Sequence, residues 1–273
     1  MSPITGHLLD DTFAKLKAAG KTALIPFVTV GDPNPETTLD ILAVLEEAGA
    51  DVVELGVPYS DPLADGPVIQ RASERALAHG VTVASCIEAA AQARERGIRL
   101  PFVLFTYYNP VLQMGTERFF AELQGAGISG LIIPDLPYEE AEEVLGLADA
   151  AGVKLIPLVA PTSSGRIARI LERARGFVYC VSSLGVTGER ATFNVSVDEF
   201  IASVKAQTDL PVAVGFGISS REQVERFAAI CDGAVVGSAI VRKIEESLPL
   251  LAQASTRDQG LLQIRDFVAK LRL

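Results

Sequence analysis

The sequence predicts an α/β fold, a (β/α)8 TIM barrel with an extra helix ahead of the first strand. Two observations predict it. Eight short β-branched apolar runs recur from end to end, separated by amphipathic stretches with helical spacing, and continuous apolarity suits parallel strands buried on both faces. Eight such units in 273 residues average roughly thirty residues each, the size of a βαβ element. An open doubly wound sheet would begin with a Gly-rich fingerprint after its first strand. Here the first run exits into Thr29-Val30-Gly31-Asp32-Pro33, so the barrel is preferred.

The strand-like runs are 23–30, 51–57, 102–107, 130–135, 154–160, 177–182, 211–217 and 234–238. Helix 37–47 follows the first, with Leu39, Leu42, Val44 and Leu45 apolar and Gly49 placed as a C-cap. Ser196 precedes Asp198 and Glu199, acids suited to a helix N-terminus. Ser219 or Ser220 can cap a helix over 221–230. Residues 7–19 form the extra helix and 261–271 the last one. No Gly/Ser linker or charge block interrupts the series, so residues 1–273 are expected to form a single barrel domain.

A net charge of −10 argues against a nucleic-acid surface. It leaves room for a phosphorylated metabolite, because backbone N–H groups can supply positive potential locally. Cys86, Cys180 and Cys231 form no CxxC pair, and reduced, packed thiols are expected, with no metal site. No signal peptide is evident at the N-terminus, and no apolar run approaches the ~20 residues of a membrane span. A cytoplasmic location is expected.

The chemistry is sought at the C-terminal ends of the strands. In Val52-Val53-Glu54-Leu55-Gly56, side chains alternate, so Glu54 shares a face with Val52 and interrupts an otherwise apolar strand. Burial raises a carboxyl pKa toward the range useful for proton exchange near neutrality. The strand runs into Pro58-Tyr59-Ser60-Asp61-Pro62-Leu63-Ala64-Asp65-Gly66-Pro67, a long acidic loop suited to covering a site. Glycines after strands six, seven and eight (Gly185 and Gly188, Gly215 and Gly217, Gly237 before Ser238) suggest a phosphate cradle. The two histidines, His7 and His79, lie away from strand exits, and no lysine sits at one. A Schiff base is therefore disfavoured, and carbon–carbon cleavage would need an electron sink in the substrate. An indole protonated at C3 is such a sink.

The stretch 53–66, VELGVPYSDPLADG, resembles the signature of the tryptophan synthase alpha subunit family. The likeness extends through PFVTVGDP (26–33), FTYYNP (105–110), IIPDLPYEE (132–140), SSLGVTG (182–188), GFGIS (215–219) and VVGSAI (235–240). The resemblance implies retro-aldol cleavage of indole-3-glycerol phosphate to indole and glyceraldehyde 3-phosphate. Carried over by motif, Glu54 is the acid–base residue and Asp65 the acceptor of the indole N–H. Phosphate would rest on Gly188, Gly217, Gly237 and Ser238. Phe27, Tyr107, Tyr179 and Phe216 would line the pocket, and Thr187 would belong to a loop closing against Asp65. The resemblance also implies an α2β2 complex with a beta subunit that carries pyridoxal phosphate, this chain holding no cofactor of its own. The partner surface would involve the 59–65 loop, the region after Asn109, and Pro134, Asp135 and Pro137. Two other readings fit these motifs, a stand-alone lyase releasing free indole and a catalytically silent activating subunit.

Overall fold

The computed structural model describes residues 7–163, 165–181, 195–215 and 217–273. Among the described residues, nine parallel strands run β1 (Ala23–Thr29), β2 (Val53–Gly56), β3 (Phe102–Phe105), β4 (Gly130–Ile132), β5 (Lys154–Leu155), β6 (Leu158–Val159), β7 (Val178–Val181), β8 (Val212–Gly215) and β9 (Gly233–Val236). They pair in the order β5-β4-β3-β2-β1-β9-β8-β7-β6. The two ends of that row are consecutive in the chain. The expected strand 154–160 is thus divided, and Pro157, which lacks an N–H, sits at the break. Pairing nevertheless passes across it: Ile156 N donates to Leu131 O at 2.9 Å, and Pro157 O accepts from Tyr179 N at 3.0 Å. The wall therefore closes into a TIM barrel.

Alternation along each strand sorts side chains into two cores. Val53, Leu55, Leu104, Leu131 and Val178 face the surrounding helices. Ile25, Val52, Val103, Ile132, Tyr179, Ala213 and Val235 face the barrel axis. Helix His7–Ala18 belongs with this inner set, because Leu9, Phe13 and Leu16 recur at helical spacing and are all buried in it. Leu9 reaches into contact range of Gly130 and Gly176 at the strand starts, and the Phe13 ring lies 5.3 Å from that of Phe177. Lys154 Nζ, 2.8 Å from Asp10 Oδ2, ties the helix to β5. The extra helix is a plug in the N-terminal mouth.

Helix boundaries differ from expectation in ways that local chemistry explains. The helix expected from Thr37 begins at Pro35, because Asn34 Oδ1 accepts from Thr37 N at 2.8 Å and Pro35 takes the first turn. Its C-cap is Ala48, with Gly49 following at φ +88. Ser220 is the residue that caps Arg221–Ala228, accepting from Gln223 N. Ser196 lies inside helix Val195–Lys205, with Asp198 in the first turn. The last helix, Arg257–Leu271, starts a turn before its apolar signal. No helix among the described residues is long and apolar enough to cross a membrane.

Because Leu9 is fully buried, Leu9→Ala should lower stability by about 2–5 kcal/mol. Urea unfolding monitored by circular dichroism measures it, and a loss under about 0.5 kcal/mol, the range of ordinary surface changes, would contradict the plug assignment.

Candidate active site

The upper half of the barrel interior is built by inward positions of the strands. Phe27 and Glu54 are paired in register across β1 and β2, and Glu54 is paired with Val103 across β2 and β3. Glu54 stands one inward step above Val52. It is 1% exposed, and its Oε1 has no hydrogen-bond partner among the described residues. Burial without a cation pushes its pKa up to about 8. A carboxyl in that state is neutral at pH 7 and ready to give up its proton.

Two glycines at the tops of strands make this geometry possible. A side chain at Gly56 would overlap the ring of Phe27, and one at Gly215 would overlap that of Tyr179. Gly215 therefore seats an aromatic ring, whereas the sequence suggested a place in an anion cradle. Phe27 also meets Phe105 edge-on, at 5.9 Å between centroids. Tyr179 is buried beside Glu54, and its phenol pKa is raised by burial and by that carboxylate.

Asp65 ends the loop that leaves β2. It is 7% exposed, and burial raises its pKa to about 6, opposed by a hydrogen bond from Tyr107. That tyrosine, on the β3 exit, is a hub. Its hydroxyl accepts from Ala64 N at 3.0 Å and donates to Asp65 Oδ2 at 3.2 Å. Its ring stacks on Tyr59 with centroids 4.9 Å apart, so one side chain holds both ends of the loop. Gln70 Nε2 donates to Asp65 O at 2.7 Å. Tyr59 and Gln70 went unnoticed as site-building residues in the sequence. The run of prolines hinted that the loop was restrained, but not by what.

Across the opening, Gly237 is the N-cap of helix Ser238–Leu251, and no side chain caps that end. Ile240 N and Val241 N already donate to Gly237 O at 2.9 and 3.1 Å, so the earliest N–H groups are the ones suited to an anion. Ser238 is buried at its first position. Gly217 follows β8 with φ +75, a conformation suited to glycine. Thr187, Gly188 and Phe216 lie outside the described residues. The three cysteines are free and buried.

A buried neutral acid, a second carboxyl on a pinned loop and an open helix N-terminus share one end of a barrel. The model of the tryptophan synthase alpha chain family matches residues 13–269. The tryptophan synthase alpha chain of Bacillus pumilus is 54% identical over 248 residues, covering 91% of this chain and 93% of the relative. That of Bacillus subtilis strain 168 is 54% identical, covering 89% and 91%. The chain belongs to the tryptophan synthase alpha chain family. Among solved structures, tryptophan synthase of Mycobacterium tuberculosis superposes with a TM-score of 0.87 at 38% identity, covering 97% of this chain and 98% of that one. The alpha chain from Legionella pneumophila gives 0.87 at 36%, covering 97% and 95%. Members of the family cleave indole-3-glycerol phosphate to indole and glyceraldehyde 3-phosphate, and this chain is a lyase of tryptophan biosynthesis.

The raised pKa of Glu54 has a consequence for stability. The folded state keeps a proton that the unfolded chain releases near pH 4.5, so stability should fall as pH rises from about 4.5 to about 8. Glu54→Gln removes that dependence. Thermal unfolding should find the variant more stable than the parent at pH 8 and similar to it at pH 4. Equal melting temperatures at both pH values would contradict burial of an uncompensated carboxyl.

Proposed function

We propose that Glu54 and Asp65 perform the cleavage in one barrel domain, and that the indole passes to a pyridoxal-phosphate-dependent beta subunit in an α2β2 complex. The observation that carries the reading is the different surroundings of the two acids, Glu54 sealed with its Oε1 unpaired and Asp65 bonded by the Tyr107 hydroxyl, which push their pKa values to about 8 and about 6. Environments that push two titratable groups apart define acid and base roles.

Glu54 begins protonated and gives its proton to indole C3. The ring nitrogen then carries positive charge, and the Asp65 carboxylate accepts the N–H hydrogen bond and stabilises that charge. As the bond between C3 and the glycerol carbon breaks, its electrons return to the ring. Glu54, now a carboxylate, takes the proton of the adjacent glycerol hydroxyl, which becomes the aldehyde. Glu54 finishes protonated, and atoms and charge balance. Phe27 and Tyr179 flank the ring and glycerol positions, and Phe216 and Thr187 are assigned to the same substrate by their motifs alone. Tyr107 contributes its ring edge while its hydroxyl holds the Asp65 loop. Phosphate rests on N–H groups of Gly188, Gly217 and Gly237 with Ser238, where the dipole of helix Ser238–Leu251 favours an anion.

The beta-subunit reading draws support from the same end of the barrel. Leu63 and Leu112, 76% and 54% exposed, are the two most exposed large apolar side chains among the described residues. Leu63 lies in the loop after β2 and Leu112 in the helix Tyr108–Met114, and the two are linked where Asn109 Nδ2 donates to Tyr59 Oη at 3.4 Å. Pro134, Asp135 and Pro137 extend this face, and Asp135 Oδ1 holds the start of that helix by accepting from Tyr108 N at 2.9 Å. A cytoplasmic location accords with this role.

Steady-state cleavage of indole-3-glycerol phosphate, with and without a beta subunit, tests the reading. We expect co-elution with the partner and a large rate increase, and high solo turnover without complex formation would favour the stand-alone lyase. The profile of kcat/KM should be bell-shaped, falling below about pH 6 as Asp65 protonates and above about pH 8 as Glu54 ionises. Asp65→Asn should remove the acidic limb and cost about 10²–10³-fold. Glu54→Gln should abolish indole release, and turnover retained by that variant would overturn the mechanism.

A further inference from the structure

Three elements carry three corners of the proposed site. Strand β1 brings Phe27, the helix Pro67–Ala78 begins two residues after Asp65, and the helix Ser238–Leu251 begins at the phosphate seat. On their inner side these elements share a small apolar cluster of Phe27, Val68, Ile69, Ala72 and Val241. Apolar contact holds them together but is non-directional, so it leaves the helices free to slide by fractions of an ångström.

Direction comes from Arg75. Its Nε and Nη2 bind both oxygens of Asp32 at 2.7 and 3.0 Å, and its Nη1 binds Glu245 Oε1 at 2.9 Å. Asp32 lies in the turn after β1 with its side chain 1% exposed, and Glu245 sits two turns into the phosphate-seat helix. Arg71, one turn before Arg75, adds a second fork to Glu245 at 2.8 and 2.7 Å. A planar guanidinium satisfies such forks in one orientation only. The charges of the four groups cancel, so this is a brace rather than an anion site. Exposed pairs such as Arg71–Glu245 add little stability, and the buried Asp32 paired with Arg75 adds little when set against apolar replacements, so the effect of the brace is geometric.

We infer that Arg75 is a positioning residue for the cleavage reaction, fixing the root of the Asp65 loop in register with the helix that begins at the phosphate seat. The inference rests on the roles proposed for Asp65 and for Gly237 with Ser238. A misplacement of about 1 Å between groups that act on one substrate can cost on the order of 100-fold in rate. Gln70 strengthens the connection, because the helix that carries Arg75 also holds the carbonyl of Asp65.

The test is steady-state kinetics with indole-3-glycerol phosphate on Arg75→Met, Arg75→Lys and Glu245→Gln, each also made in an Asp65→Asn background. Arg75→Met should lower kcat at least tenfold and raise KM, while Arg75→Lys, keeping the charge without the fork, should recover part of kcat. In the Asp65→Asn background the kcat loss from Arg75→Met should largely vanish, while the rise in KM persists. A structural role alone would give the same fractional kcat loss in both backgrounds and would overturn the inference. So would a folded Arg75→Met variant with kcat and KM within twofold of the parent. Should Arg75→Met fail to fold, Glu245→Gln decides: it should lower kcat severalfold and raise KM, and unchanged constants would overturn the inference. Full turnover by Asp65→Asn alone would remove the role of Asp65 itself, a failure distinguishable from that of the brace.

Discussion

The structure depends on keeping one carboxyl away from water. Glu54 sits on a strand whose other inward positions are apolar, with no cation to compensate it. The cost is offset by leaving the group protonated, and that choice makes it chemically useful. A carboxylate paired with an arginine at this position would be stable and ionised at neutral pH, unable to protonate a carbon. The absence of lysine from the strand exits of the sequence is therefore as informative as the glutamate itself.

Much of the barrel can be understood as support for that environment. Helix His7–Ala18 seals the lower mouth with Leu9, Phe13 and Leu16. Gly56 and Gly215 give up their side chains so that Phe27 and Tyr179 can lie over the strand tops. The second acid is treated differently. Asp65 is buried less completely and receives the Tyr107 hydrogen bond, which keeps its pKa below that of Glu54. Two residues of one chemical type thereby acquire different protonation states within a single strand-to-loop segment.

Glu54 was legible in the sequence because a charged residue breaks an apolar period, a local signal. Strand identity was legible for the same reason, and even the division of the fifth strand had a local marker in Pro157. Asn34-Pro35 likewise announced a helix start that apolar spacing alone placed two residues later. What could not be read depends on residues distant in the chain. Gly215 resembles any glycine beside an anion site until Tyr179, 36 positions earlier by its number, is seen to occupy the space. The Tyr107 hydroxyl reads as pocket lining until it is found bound to Ala64 and Asp65. The fork from Arg75 to Asp32 spans 43 positions, and neither residue carries a motif that predicts the other.

The central claim is the protonation state of Glu54, and it can be observed without turnover. Carbon-13 NMR titration of side-chain-labelled glutamate, with Glu54 assigned by its loss in Glu54→Gln, reads the carboxyl directly. A carboxyl buried without a cation should show a midpoint near pH 8, well above the ordinary 4.5. A midpoint near 4.5 would mean that the carboxyl is hydrated or paired, and the acid–base mechanism built on its burial would be wrong.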